Sequence, residues 1–195
     1  MEPLPLVGTG WIEVICGGMF SGKTEELLRR VRRAQIAGQK VALFKPDLDT
    51  RYHPTDIVSH DQTRLHAQPV PNADAIYLLS SEADVVAIDE GQFFDEGIVR
   101  IADRLADEGK RVIVAGLDMD YRGQPFGPMP YLMAIAEFVT KLHAICTRTG
   151  LIAHYSYRKI EGSETILPGG TEMYEPLSRR AFCELVKKHA SDRLL

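Results

Sequence analysis

The residues Gly17-Gly18-Met19-Phe20-Ser21-Gly22-Lys23-Thr24 carry the clearest chemistry in the sequence, with the spacing Gly-x4-Gly-Lys-Thr. They follow the apolar run Trp11-Ile12-Glu13-Val14-Ile15-Cys16 and precede Leu27, Leu28, Val31 and Ala34, which recur at helical spacing. Strand, glycine loop and helix in that order make a P-loop, where backbone N–H groups and a helix N-terminus converge on phosphate oxygens. In that role Lys23 reaches the β- and γ-phosphates of a nucleotide, and the Thr24 hydroxyl ligates Mg²⁺. A second apolar run, Val85-Val86-Ala87-Ile88, ends in the carboxylates Asp89 and Glu90. An aspartate at the C-terminal end of a parallel strand sits where ligands bind, so Asp89 is placed to hold Mg²⁺ against Thr24. Glu90 is then placed as general base on whatever attacks the γ-phosphate. The pair does not choose the attacker. Water would make an ATPase that couples hydrolysis to work; a substrate hydroxyl would make a phosphotransferase. A nucleotide binder without turnover is a third reading, and intact Lys23, Asp89 and Glu90 speak against it.

The surrounding pattern supplies elements to position these groups. The helix after the loop runs to about Ala37 and stops at Gly38. Residues 40–44, 84–88 and 111–115 are apolar strands, the last leading into Gly116-Leu117-Asp118. Ile98, Ile101, Ala102 and Leu105 mark a helix ending before Gly109. A glycine- and proline-rich loop at 122–130 leads to an apolar helix expected at about 131–138. Strands alternating with helices imply an α/β fold with a doubly wound, P-loop (RecA-like) parallel sheet core. From Asp47 to about Val70 the pattern is polar and broken, a stretch read as functional or irregular, and residues 75–80 read as weakly structured. After roughly Thr140, β-like pieces at 141–145 and 152–157 flank a Gly169-Gly170 loop, and a last helix carries Ala181, Phe182, Leu185 and Val186. The expected organisation is a flexible leader (1–10), a nucleotide-binding α/β domain (11–140) and a small β-rich C-terminal lobe (141–195).

Composition limits the classes further. With 195 residues, 45% of them hydrophobic and 26% charged, the chain is long enough for one packed domain with a small appendage. A formal net charge of −4 argues against general affinity for nucleic acid, which needs a basic face. Cys16, Cys146 and Cys183 form no disulfide framework, which suits a reducing compartment. The N-terminal residues lack a basic-then-apolar signal and no apolar run approaches membrane-spanning length, so the expectation is a cytoplasmic protein with no membrane partner.

The wording around the motifs is more specific than the motifs. Gly18-Met19-Phe20-Ser21-Gly22-Lys23-Thr24, the basic run Arg29-Arg30-Val31-Arg32-Arg33, Asp49-Thr50-Arg51-Tyr52, Ser59-His60-Asp61 and Asp89-Glu90-Gly91-Gln92-Phe93-Phe94 resemble the type II, cytosolic P-loop thymidine kinase family. Gly116-Leu117-Asp118, Pro125-Phe126-Gly127, Lys141-Leu142 and Gly169-Gly170 followed by Tyr174 fall in the family's order, so the resemblance spans residues 11–183. It implies transfer of the γ-phosphate of ATP to the 5′-hydroxyl of thymidine, with deoxyuridine an accepted relative. Glu90 matches the family's base, which resolves the attacker toward a sugar hydroxyl. Asp89, Gly91 and Gln92 match the nucleotide-contact segment, and Asp49 and Arg51 match residues near Mg²⁺ and the phosphates. Met19, Phe93, Phe94 and Leu117 resemble the apolar walls around the thymine ring. Ser156, Gly169, Gly170 and Tyr174 match substrate contacts in or beside a lasso-like lid, expected here from about Arg158 to Tyr174. A lid suits this chemistry because water is the competing nucleophile. The family is typically a homotetramer inhibited by dTTP.

One feature of the family departs here. Its structural zinc is held by a Cys-x-x-Cys pair and a later Cys-Arg-x-Cys or Cys-Arg-x-His pair. This sequence reads Cys146-Thr147-Arg148-Thr149 and Ser178-Arg179-Arg180-Ala181, which keeps one of the four ligand positions. Threonine, serine and alanine do not complete a tetrahedral site, so zinc is not expected. A rearranged set drawing on His143 and Cys183 is the alternative, while His154 and His189 read as surface or core histidines.

Overall fold

The computed structural model describes residues 9–47, 56–58, 64–160 and 170–192. Strand β1 (Trp11–Gly17) is buried along nearly its whole length, which is why its sequence is apolar without alternation. Helix α1 (Lys23–Ile36) follows the glycine loop, and β2 (Val41–Pro46) follows the turn at Gly38. The stretch read as irregular contains two short strands, β3 (Asp56–Val58) and β4 (Arg64–His66), paired antiparallel. It ends in β5 (Gln68–Val70), which joins the edge of the main sheet beside β2. Residues expected to be weakly structured form helix α2 (Ala73–Leu79). Asn72 caps it, its side chain accepting the Ala75 N–H at 3.0 Å, and Ala73 and Ile76 anchor it in the core. One cap and two buried residues are too weak a period to stand out in the sequence.

Strand β6 (Val85–Ile88), helix α3 (Gly97–Asp107), strand β7 (Arg111–Gly116) and helix α4 (Met129–Ile135) complete the alternation. Helix α4 ends three residues earlier than its apolar run suggested. The chain then enters β8 (Phe138–Leu142), which pairs parallel with β1. Lys141 and Leu142, read with the C-terminal lobe, therefore continue the central sheet. Its six strands are all parallel, in the order β5-β2-β6-β7-β1-β8. Ile15, Leu43, Val85, Ala87 and Ile113 pack on one face against Leu27, Leu28, Val31 and Ala34 of α1. On the other face, Ile12, Val14, Val86, Ile88, Val112 and Val114 meet buried side chains of α2, α3 and α4. Helices on both faces explain the uninterrupted apolar strands.

The C-terminal part is built from β9 (Ala144–Ile145) paired with β10 (Ile152–Ala153), and β11 (Tyr155–Arg158) paired with β12 (Tyr174–Leu177). Helix α5 (Arg179–Asp192) closes it. Its own small core contains Ala144, Cys146, Ala153, Leu177 and Ala181, and a Tyr155–Phe182 stack with ring centroids 4.2 Å apart. Among the described residues no helix is long and apolar enough to cross a membrane.

Candidate active site

The ends of β1, β6 and β7 lie along the C-terminal edge of one parallel sheet, where loops rather than strands can close on a ligand. At the end of β1, Gly17 has φ 144° and Gly22 has φ 84°, both in the range that favours glycine. A methyl group at Gly17 would stand 2.2 Å from the Leu142 carbonyl oxygen, so the loop passes flush against β8. Phe20 takes a positive φ of 63° without being glycine, the kind of backbone outlier that collects at ligand loops. Ser21 Oγ and Lys23 Nζ both donate to the Gly18 carbonyl at 2.8 Å, which holds the lysine folded over its own loop. Burial pulls the Lys23 ammonium below its ordinary pKa, opposed by the charges of Glu90, Asp89 and Asp118. That ammonium is thus held on its own loop, within reach of the charges of those acids.

Strand β7 separates β1 from β6, yet the first turn of α1 reaches across the sheet. Thr24 Oγ1 donates to Asp89 Oδ2 at 3.3 Å. Asp89 is 5% exposed. Burial, then the neighbouring Glu90 carboxylate, push its carboxyl up to about 7. A buried carboxylate crowded by a second one, with a hydroxyl beside it, is a hard-oxygen donor set that fits Mg²⁺. Glu90 is exposed, in left-handed backbone at φ 54°, and its N–H donates to Asp89 Oδ1 at 2.9 Å. The two adjacent acids therefore have different surroundings: Asp89 is buried beside Thr24, and Glu90 is exposed with its carboxylate on Gln92. A 3-10 turn, Gly91–Phe93, follows. Phe93 is half-buried, edge-on to Phe126 at 5.6 Å between centroids, whereas Phe94 is packed into the core with α3.

The lobe meets this edge directly. Ser156 Oγ accepts the Met19 N–H at 2.8 Å, and Leu117, at the end of β7, donates its N–H to Gln92 Oε1 at 2.9 Å. Tyr174 is buried and pairs with Arg158 at the stem of the expected lid. Gly170 donates its N–H to Glu172 Oε1 at 2.6 Å. Asp49, Arg51, Gly169 and the middle of the expected lid lie outside the described residues.

The chain matches the family model described as "Thymidine kinase" over residues 10–182. It is 58% identical over 173 residues to a protein named thymidine kinase from Porphyromonas gingivalis, covering 89% of this chain and 85% of that one. It is 56% identical over 185 residues to a thymidine kinase from Rhodothermus sp., covering 93% and 87%, and 53% identical over 173 residues to one from Bacteroides fragilis, covering 89% and 87%. The chain belongs to the thymidine kinase family. Against the family pattern, the sequence reading did not single out two pairs in this member. Lys141 Nζ lies 2.7 Å from Asp118 Oδ2, an ion pair, although neither buried carboxylate oxygen accepts a well-directed hydrogen bond. The Arg158 guanidinium carbon stands 3.7 Å over the Tyr121 ring centroid, tying the loop after β7 to the lid stem. Asp118 stands two residues past the end of β7 as Asp89 stands one past the end of β6, and that was the available signal.

The degenerate zinc pairs also have a structure. Cys146 is 1% exposed. Burial alone would raise its thiol, but interactions with the Thr149 side chain, then with the Ser178 and Arg148 backbone, bring it down to about 7. Thr149 Oγ1 donates to Ser178 Oγ at 3.3 Å, and the Ala181 N–H donates to the same oxygen at 3.4 Å. The four positions remain neighbours, joined by hydrogen bonds. Among the described residues, no three His, Cys, Asp or Glu side chains are grouped to hold a metal ion.

Proposed function

We propose that the chain transfers the γ-phosphate of ATP to the 5′-hydroxyl of thymidine, giving dTMP and ADP in pyrimidine deoxynucleoside salvage. The observation that carries this reading is that, in a chain of the thymidine kinase family, Glu90 stands exposed next to the buried Asp89 and its partner Thr24. The P-loop residues Gly17, Gly18, Met19, Phe20, Ser21, Gly22 and Lys23 bind the phosphates, and Lys23 follows the charge on the transferred group. Thr24 and Asp89 hold Mg²⁺, whose charge offsets that of the phosphate oxygens when it is bound. Glu90 accepts the proton of the 5′-hydroxyl as that oxygen attacks phosphorus. Met19, Phe93 and Leu117 wall the base, with Phe94 supporting them from the core. Ser156, Gly169, Gly170 and Tyr174 belong to the covering lid, and Asp49 and Arg51 belong to the phosphate side.

The same reading extends to deoxyuridine as an alternative acceptor, dTTP as an inhibitor, a homotetrameric state and a cytoplasmic location without nucleic-acid or membrane partners. Residues 11–140 form the nucleotide-binding domain, which also supplies the base and the apolar wall, and residues 141–195 form the lobe that carries the lid, without structural zinc. The test is ADP release from ATP with and without nucleoside. Release that depends on thymidine and yields equimolar dTMP supports the kinase. Appreciable release without any nucleoside favours an ATPase on the same core instead.

A further inference from the structure

We propose that Gln92 is a positioning residue that holds the base Glu90 and the nucleoside wall at Leu117 in one hydrogen-bonded unit. This rests on the assignment of Glu90 as base given above. Gln92 is 3% exposed. Its Nε2 donates to Glu90 Oε2 at 2.6 Å and its Oε1 accepts the Leu117 N–H at 2.9 Å. Those two contacts fix the carboxamide in one orientation, because a flipped amide would set oxygen against carboxylate and N–H against N–H. The segment has little room to shift. A methyl at Gly116 would stand 2.8 Å from Gln92 Oε1, and one at Gly127 would stand 2.4 Å from the Gln92 carbonyl oxygen. Gly91 is equally enclosed, with Val114 Cγ1 2.7 Å from where its Cβ would be.

The consequence is mechanical. Glu90 is an exposed side chain on left-handed backbone, and a carboxylate free to swing spends little time aimed at a hydroxyl. The bond from Gln92 holds it against β7, the strand whose end carries Leu117. The base and the apolar wall on which the nucleoside ring rests therefore keep a fixed spacing. Gln92 serves the reaction through Glu90 and Leu117 rather than as a nucleotide ligand, although it lies in the segment matched to nucleotide contacts.

The experiment is a double-mutant cycle on the full chain, with Gln92→Met and Gln92→Glu each made alone and with Glu90→Ala. Methionine fills the space without hydrogen bonds. Glutamate can still accept from Leu117, and in its ionised form it repels Glu90 instead of donating to it. Single-turnover phosphorylation of thymidine, Mg-ATP affinity and the melting temperature are measured for each. Glu90→Ala lowers the rate by roughly 10²–10⁴-fold, the range for a lost general base. With Glu90 present, either Gln92 variant lowers the rate by about tenfold or more while Mg-ATP affinity stays within about twofold. With Glu90→Ala, the same substitutions change the rate by less than about twofold, because no base remains to be aimed. An equal loss in both backgrounds makes Gln92 merely structural and overturns the proposal. So does a loss of Mg-ATP affinity at unchanged rate, which would make it a nucleotide ligand. Near-normal turnover in Glu90→Ala alone removes the base, and the inference with it, and is read separately from the Gln92 effects. Should Gln92→Met fail to fold, Gln92→Glu supplies the same comparison.

Discussion

Ser156 Oγ accepts the Met19 N–H at 2.8 Å, so strand β11 of the C-terminal part is bonded to the phosphate loop itself. The contact is close on both sides, since a methyl at Gly18 would stand 3.2 Å from the same oxygen. The glycine loop and the C-terminal part are therefore joined directly, with the serine at the seam.

Ser156→Ala removes that acceptor and leaves the Met19 N–H without its partner. The expected cost is about 1–3 kcal/mol, the desolvation penalty of a polar group left unsatisfied. In a chain of this length that corresponds to a melting temperature lower by roughly 2–4 °C per kcal/mol. Ser156→Thr keeps the hydroxyl and recovers most of the loss. Calorimetry on the two variants checks it, and an unchanged melting temperature in Ser156→Ala removes the seam.

The phosphate loop and the Asp89-Glu90 strand end were legible because their chemistry is local. Glycine spacing, one lysine and an apolar run ending in acids all lie within a few residues of each other. Strand β5 and helix α2 were not legible, because short elements owe their stability to the sheet edge and core they join. Strand β8 was divided between the apolar helix before it and the β-like piece at 141–145, since only its pairing with β1 makes residues 138–142 one strand. The Gln92, Asp118 and Ser156 contacts bridge 25, 23 and 137 residues of chain, taking Lys141 as the partner of Asp118. No periodicity in the sequence encodes separations of that kind.

Glu13 lies wholly buried in the middle of β1 and accepts from Arg30 at 2.7 Å, Arg111 at 2.6 Å and Trp11 at 2.7 Å. Glu13→Gln leaves two guanidinium groups short of a counter-charge. Arg30 keeps Glu26 at 2.8 Å, so the cost falls at the lower end of the roughly 3–5 kcal/mol seen when a buried pair is broken. Urea unfolding measures it. A loss under about 1 kcal/mol would make the cluster a surface-like pairing.

The same carboxylate gives stability a pH dependence. Burial alone would raise the Glu13 carboxyl, but Arg111, then Trp11 and Arg30, bring it below its ordinary value near 4.5. Glu26 is brought down to about 2, first by the Arg29 hydrogen bond and against its partial burial. Groups depressed in the folded state stabilise it fully above the unfolded value, and lose that effect as pH falls through the folded one. The urea midpoint of the unmodified chain therefore drops between about pH 5 and pH 2. It drops less steeply in Glu13→Gln, and parallel slopes would exclude Glu13 from this role.

Zinc content follows from the Cys146 surroundings. Cys146 is buried beside Thr149 and Ser178, and one thiol without three further donors does not make a tetrahedral site. Metal analysis of protein purified without chelator is expected to find under about 0.1 equivalent of zinc, with no change in melting temperature on adding EDTA. Near-stoichiometric zinc would sink this expectation.

The Asp118–Lys141 pair predicts an asymmetry. Asp118 is 6% exposed and neither of its oxygens accepts a directed hydrogen bond, so the ammonium at 2.7 Å is what offsets its charge. Lys141 is raised above its ordinary pKa chiefly by that contact. Lys141→Met strands a buried carboxylate and is expected to cost about 2–3 kcal/mol, below the full value for a buried pair because the lysine is 43% exposed. Asp118→Asn leaves a solvated lysine instead, which costs about 1 kcal/mol or less. The double variant is then more stable than Lys141→Met alone, because the second change removes the charge the first left unpaired. Urea unfolding of the three proteins decides it. Equal costs for the two single variants would mean that Asp118 is solvated in the folded chain, and that Lys141 does not anchor the loop carrying Leu117.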